Sequence, residues 1–439
     1  MADQNTTVKS KGGFKYSTAL KMFTIGFLFL VLLTPTTMIK SLIRERSNRN
    51  AEVVKEISSK WGGHQAICGP VLSIPYKEYS EGTKNYSIEY IHILPEELRI
   101  DSFLDSEVRY RGIYEAVLYN ADVQLSGVFI MPKLKDLGIK EKDVIFQNAC
   151  ISLGIEDMKG IRREISAIVN DVPFSMNPGI ETKGIIASGV SSKVQLQNKV
   201  TEVRFDFKIN LNGSKQINFV PLGKTTEVSL SCDWPHPSFN GVFLPEERSI
   251  NDKGFDAKWK ILHLNRDFPQ LWIGDKYKYE MGKFLFGVEL FKPVDVYQKS
   301  MRAVKYASLF VLLTFLAFFF SEIFKKKPLH PIQYTLIGCA IIIFYLLIIA
   351  LSEHMNFEKA YLISGAAVVL LITVYAAAIL RSVLVSISMG CILSVFYSYL
   401  YMLLQMEDYA ILMGSIGLFV ILSGIMLITR KIDWYSISS

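Results

Sequence analysis

Ionisable side chains are scarce in the last third of the chain, and most of them stand as short knots between apolar runs. Glu353 and His354 close one run, and Glu407 and Asp408 precede another. A carboxylate beside an imidazole at a membrane face can pass a proton, because burial moves both pKa values towards neutrality. The same pair can cap a helix where water reaches it, and that reading carries more weight. Glu407 and Asp408 fall at a helix N-terminus, where the helix dipole favours acids. Arg381 reads as the charge of a tight turn. His330 reads as an interface residue, with Pro331 in the first helical turn that follows.

Two stretches in the polar part of the chain have the residue types of a binding surface. Arg109, Arg111 and Tyr114, within 109–114 (RYRGIY), could hold an anionic group. Trp234, His236 and Phe239, within 234–239 (WPHPSF), could dock a peptide or glycan, with two prolines keeping the path extended or turned. The plainer readings are a solvated strand face for the first and an aromatic plug at the end of a sheet for the second.

Other chemistry is not legible. Gly223, Lys224 and Thr225 suggest a phosphate loop, but the first glycine of that motif would fall at position 218, which is Asn218. There is no GxSxG, and the six histidines show no metal-ligand spacing, so no cofactor or metal is expected. The sequons at Asn85 and Asn212 are short enough to arise by chance. Cys339 and Cys391 fall in apolar runs. Cys68, Cys150 and Cys232 lie far apart in the polar block and allow at most one disulfide.

Elements of two kinds must position these residues. The chain has 439 residues, half of them apolar, with a formal net charge of +7. Its mean hydropathy of +0.26 averages a membrane block with a polar block of roughly 260 residues. From Tyr306 to Thr429 the apolar runs are about 19 to 22 residues long, enough to cross a hydrocarbon core of about 30 Å. The expected spans are 306–324, 331–351, 360–380, 383–404 and 409–429, after a retained first span at 22–43. Ser386, Gly390 and Ser394 form a small-residue ladder for close helix packing. Tyr397, Tyr399 and Tyr401 suit an interfacial belt.

Basic residues set the expected orientation. With the N-terminus inside, the inner segments hold four (Lys9, Lys11, Lys15, Lys21), three (Lys325, Lys326, Lys327), one (Arg381) and two (Arg430, Lys431), whereas the short outer loops hold only Lys359. The positive-inside rule then places both termini in the cytoplasm and the polar block outside. The positive charge thus reads as topology signal, and nucleic acid is not an expected partner.

Residues 40–61 carry a broken apolar stripe and end at Gly62 and Gly63, which predicts a helical stalk. Beyond it, alternation at 119–129 and 203–211 predicts strands with one buried face, and 225–232 predicts another. Asn212-Gly213 predicts a hairpin between 203–211 and the residues around Ile217 and Phe219. Short helices are expected near 133–138 and 157–168. The fold class expected is an α-helical membrane bundle of six spans with a large β-rich, antiparallel periplasmic domain. The boundaries are 1–21 (cytoplasmic tail), 22–43 (first span), 44–305 (β-rich domain with stalk), 306–429 (five-helix bundle) and 430–439 (cytoplasmic tail).

The chain resembles the CreD family of bacterial inner-membrane proteins. The resemblance rests on 109–114, on 234–245 (WPHPSFNGVFLP), on 264–270 (LNRDFPQ) and on 293–298 (PVDVYQ). It continues through 302–306 (RAVKY), 330–334 (HPIQY), 352–354 (SEH) and 407–409 (EDY). It implies an inner-membrane protein with a periplasmic domain, linked to envelope stress and often to a two-component regulatory system. It supplies no catalytic residues. The expected function is therefore non-enzymatic: maintaining envelope integrity, with the outer domain binding an envelope component or partner protein and the lipid bilayer holding the bundle. The alternative is a transporter or flippase-like protein with Glu353 and His354 in a proton or substrate path.

Overall fold

The computed structural model describes residues 18–79, 85–181, 186–197, 200–274, 277, 281–291, 296–325, 327–406 and 409–430. Contacts divide the chain into two units, Met1–Arg49 with Val294–Ser439, and Asn50–Pro293. Glu407, Asp408, most of the N-terminal tail and residues 431–439 lie outside the described residues.

Helix α1 (Thr18–Trp61) runs unbroken through the expected first span and stalk. It stops at Gly62, whose φ of +152° is strained for any side chain and where a Cβ would lie 2.5 Å from the Asn212 carbonyl oxygen.

The membrane unit continues with α2 (Val296–Lys305), α3 (Ala307–Lys325), α4 (Pro331–Ser352), α5 (Phe357–Leu380), α6 (Val383–Gln405) and α7 (Ala410–Thr429). Helices α1, α3, α4, α5 and α6 are long and apolar enough to cross a membrane, and α7 carries a shorter apolar stretch, Ile411–Leu427. Arg381 makes the predicted tight turn between α5 and α6 by taking a left-handed conformation (φ +48°). Lys327 caps that helix end, its Nζ donating to the Leu380 carbonyl at 2.9 Å. The small-residue ladder packs as expected: a Cβ at Gly390 would lie 2.6 Å from Thr373 Oγ1, so α5 and α6 approach closely there. Tyr397 departs from the expected belt. It is buried against Phe344 (ring centroids 4.5 Å) and its carbonyl accepts from the Tyr361 hydroxyl at 2.7 Å. It faces neighbouring helices, where an aromatic body fills the bundle interior.

The second unit is built of β1 (Gln65–Tyr79), β2 (Tyr86–Ile93), β3 (Glu97–Arg111), β4 (Tyr114–Ile130), β5 (Ala149–Ile155), β6 (Ser166–Val169), β7 (Val172–Phe174), β8 (Asn177–Pro178) and β9 (Gly189–Val194). It continues with β10 (Glu202–Ser214), β11 (Gln216–Phe219), β12 (Thr225–Cys232), β13 (Pro237–Gly241), β14 (Glu247–Asn251), β15 (Gly254–Leu262), β16 (Leu271–Ile273) and β17 (Phe286–Leu290). One sheet runs β13-β17-β11-β1-β5-β9-β8, with β2 and then β16 added beside β1. The other runs β14-β15-β12-β3-β4-β10-β6-β7. Apolar side chains from both sheets make one core, among them Ile67, Leu72, Val123, Phe207, Phe219, Trp259 and Phe286.

Three expectations change here. The sheets are mixed: β1 pairs β11 in parallel, and β12 pairs β3 in parallel. Asn212 and Gly213 are not a hairpin turn but the last part of β10, paired with Asn120 and Tyr119 of β4. Gly213 makes room for the buried Tyr119 ring, which a Cβ there would overlap. The chain then crosses at Lys215 (φ +63°) from one sheet to the other, where β11 pairs with β1 and β17. Finally, the expected helix near 157–168 is one 3-10 turn, Met158–Gly160, followed by strand β6. The short helical stretch expected near 133–138 is present, as the 3-10 helix Leu134–Leu137.

Candidate functional site

Glu353 is the C-cap of α4 and is mostly buried. Its Oε1 lies 3.8 Å from Arg46 Nε of α1 and accepts from the Tyr297 hydroxyl of α2 at 3.4 Å. His354 points outward, and among the described residues its side chain joins no hydrogen bond or ion pair. The two neighbours in sequence are therefore not brought together as a relay. His330 is the N-cap of α4: its Nδ1 accepts from the Ile332 N–H at 3.3 Å while Gln333 Oε1 accepts from the His330 N–H at 3.0 Å.

A second ionic cluster in the same unit escaped the sequence reading. Glu322, in the last turn of α3, is buried. One carboxylate oxygen accepts from Lys21 of α1 and the other from the Tyr334 hydroxyl of α4 at 3.2 Å. A buried carboxylate must be paired in this way. Lys21 registered only as a topology charge. The signal that identifies it is a lone acid inside an apolar helix.

In the sheet unit, Arg109 and Arg111 secure the end of α1. The Arg109 guanidinium lies 3.8 Å from the Trp61 ring centroid and donates to Glu107 through Nε and Nη2 (3.0 and 3.2 Å). Arg111 pairs with Glu56, and its bond, with that of Lys60, lowers the Glu56 carboxyl to about 2. Tyr114 stands opposite Arg111 at the tip of the β3–β4 hairpin. Trp234 donates from Nε1 to the Phe291 carbonyl at 2.9 Å and meets His236 edge-on at 6.5 Å. Phe239 packs on Phe255 and Trp259. The two groups sit on different strands, one at the β3–β4 tip and the other where β13 pairs β17.

One open recess of this unit lies on the outer face of the eight-stranded sheet. It is a groove of about 660 Å³, joined by a smaller one of about 320 Å³ that shares Phe103, Asp122, Arg163 and Asn210 with it. Strand register builds it. Asp256, Ser231, Phe103, Asp122 and Asn210 stand side by side on β15, β12, β3, β4 and β10. The next row is Lys258, Ser229, Asp101, Gln124 and Lys208. Side-chain bonds fix the floor: Asn210 Nδ2 donates to Asn120 Oδ1 at 2.9 Å and to Asp122, and Gln124 Nε2 donates to Asp206 Oδ2 at 2.8 Å. Phe103 is half-exposed among these polar groups. Its sequence signal is an aromatic in the wet phase of β3, between Asp101 and Asp105.

Buried thiols and the buried histidine are separate from this face. Burial raises Cys68 and Cys232 to about 12, and both are free, as is Cys150. His92 is held 2.8 Å from Ser73 through Nδ1, and burial lowers it to about 4. Among the described residues, no group of three His, Cys, Asp or Glu is placed to hold a metal ion.

A family model described as "Inner membrane protein CreD" matches residues 17–435. The inner membrane protein CreD of Escherichia coli (strain K12) is 31% identical over 427 residues, covering 95% of this chain and 94% of that protein. The match takes in the apolar helices as well as the sheet unit between them. The chain belongs to the CreD family of inner membrane proteins.

Proposed function

We propose that the protein is a non-enzymatic inner-membrane component that maintains cell-envelope integrity or responds to envelope stress. Six spans anchor it, with both termini cytoplasmic, and the two-sheet unit lies in the periplasm and binds an envelope component or partner protein. The distribution of Lys and Arg supports this orientation. The observation that carries the binding role is the polar groove across the interior strands of the eight-stranded sheet, with its side chains bonded in place. A pre-formed concave site with a few fixed polar groups is the form that binding sites take.

The test is photocrosslinking in growing cells from a photoreactive residue at position 103. Capture of a periplasmic or envelope component supports the reading. A full-length protein that crosslinks only to itself or to bulk phospholipid overturns it.

The transport alternative gains one observation, the buried Glu322 between Lys21 and Tyr334. It requires pH-dependent flux in liposomes that is lost in Glu322→Gln and in Glu353→Gln. Absence of flux in reconstituted wild-type protein removes it.

A further inference from the structure

We infer that the groove on the eight-stranded sheet is a glycan-binding site, taking a linear strand of N-acetylated sugar rings with Phe103 as the stacking platform. The inference rests on the binding role proposed above and names the ligand class.

Four features of the groove select this chemistry. First, one aromatic ring stands half-exposed in a row of short polar side chains. The negative face of an aromatic ring attracts the C–H groups on the flat side of a sugar. Second, its flanking groups are planar and present chiefly acceptors: Asp122 and Asn210 Oδ1 in its own row, Asp101 and Gln124 in the next. Such acceptors meet the O–H and acetamido N–H donors of sugars. Third, Asn210 and Gln124 are held by their own bonds to Asn120, Asp122 and Asp206. A fixed floor avoids the entropy cost of ordering these side chains on binding. Fourth, the row from β15 to β10 crosses four strand intervals, about 19 Å at the usual spacing, which takes several rings.

Other ligands fit less well. A peptide adding to a sheet needs free backbone groups at an edge strand. This groove crosses β12, β3, β4 and β10, which are paired on both sides. Four carboxylates face three basic groups along the main groove, a balance that disfavours a polyphosphate backbone.

The experiment is a calorimetric titration of the full-length protein in nanodiscs with a β-1,4-linked N-acetylglucosamine hexasaccharide. The expected result is saturable binding, weakened tenfold or more in Phe103→Ala and in Asn210→Ala, and retained in Phe103→Trp. Unchanged thermal unfolding shows that each variant is folded. No binding by the wild type overturns the inference, as does binding that Phe103→Ala and Asn210→Ala leave intact. Rescue of a deletion strain separates the two levels. If Phe103→Ala fails to rescue and the hexasaccharide does not bind, the ligand class is wrong while the binding role stands. If the hexasaccharide binds through Phe103 and Phe103→Ala rescues fully, the site is real and the proposed function is wrong.

Discussion

Arg46 and Glu353 face each other at 3.8 Å between α1 and α4, while Lys21, about 25 residues earlier on α1, pairs with Glu322 of α3. That separation is roughly 38 Å of helix, more than the hydrocarbon core of about 30 Å. Helix α1 thus has an ion pair to a neighbouring helix beyond each end of its apolar run. The two pairs differ in burial, and their energetics should differ with it.

The Arg46–Glu353 pair is the weaker. Arg46 is nearly half-exposed and the distance is long, so Glu353→Gln should cost no more than about 1 kcal/mol. The double variant Glu353→Gln, His354→Ala should rescue a deletion strain's sensitivity to detergent and cell-wall antibiotics at equal membrane level. Failure to rescue would shift weight to the transport reading.

The Lys21–Glu322 pair is the stronger. Glu322→Ala leaves Lys21 and the Tyr334 hydroxyl without their acceptor and should destabilise the protein by about 3–5 kcal/mol. Replacing both charges, Lys21→Met with Glu322→Leu, should be neutral or stabilising by about 1–4 kcal/mol. Thermal unfolding in one detergent compares the two. A double variant no better than Glu322→Ala would show that the ionic pair itself is required.

Acid should weaken the sheet unit through His92. Its folded pKa of about 4 lies below the ordinary 6.5 because the ring is buried among Ser73, Tyr90 and Trp272. The unfolded chain therefore takes up this proton first. The stability from the neutral ring is complete above pH 6.5 and is lost as pH falls towards about 4, on the order of 3 kcal/mol in all. Unfolding midpoints of wild type and His92→Gln between pH 7.5 and 4.5 should converge as the pH drops. Parallel curves would show that His92 does not titrate in this window.

Gly213→Ala distinguishes a strand from a turn. In a two-residue turn, alanine would cost little beyond the backbone preference. Inside β10 its Cβ meets the buried Tyr119 ring, and overpacking of this kind costs about 1–3 kcal/mol. The same loss should follow in thermal unfolding, and a neutral substitution would contradict the placement of Tyr119.

The apolar helices were legible because they depend on local sums. Apolar run length decides whether a helix can span, and Lys327, Pro331 and Arg381 mark where helices start and stop. Strand alternation at 119–129 and 203–211 was legible for the same reason: one buried face repeats every second residue. Pairing was not. Asn212-Gly213 carries a turn signal by type, yet Gly213 serves a ring 94 residues earlier in the chain, and β11 belongs to the other sheet. The parallel partners of β1 and β12 follow from long-range closure of the core, which periodicity does not encode. The candidate site divides in the same way. Glu353 stood out as a polar knot, but Glu322 acquires its partners only when α1, α3 and α4 meet. Phe103, Asp122 and Asn210 are ordinary wet-face residues on three strands, and register alone makes them neighbours. Sequence by itself determined what each segment is, through composition and period. Tertiary structure decided which residues stand together, because contacts between distant segments depend on how the whole chain buries its apolar faces.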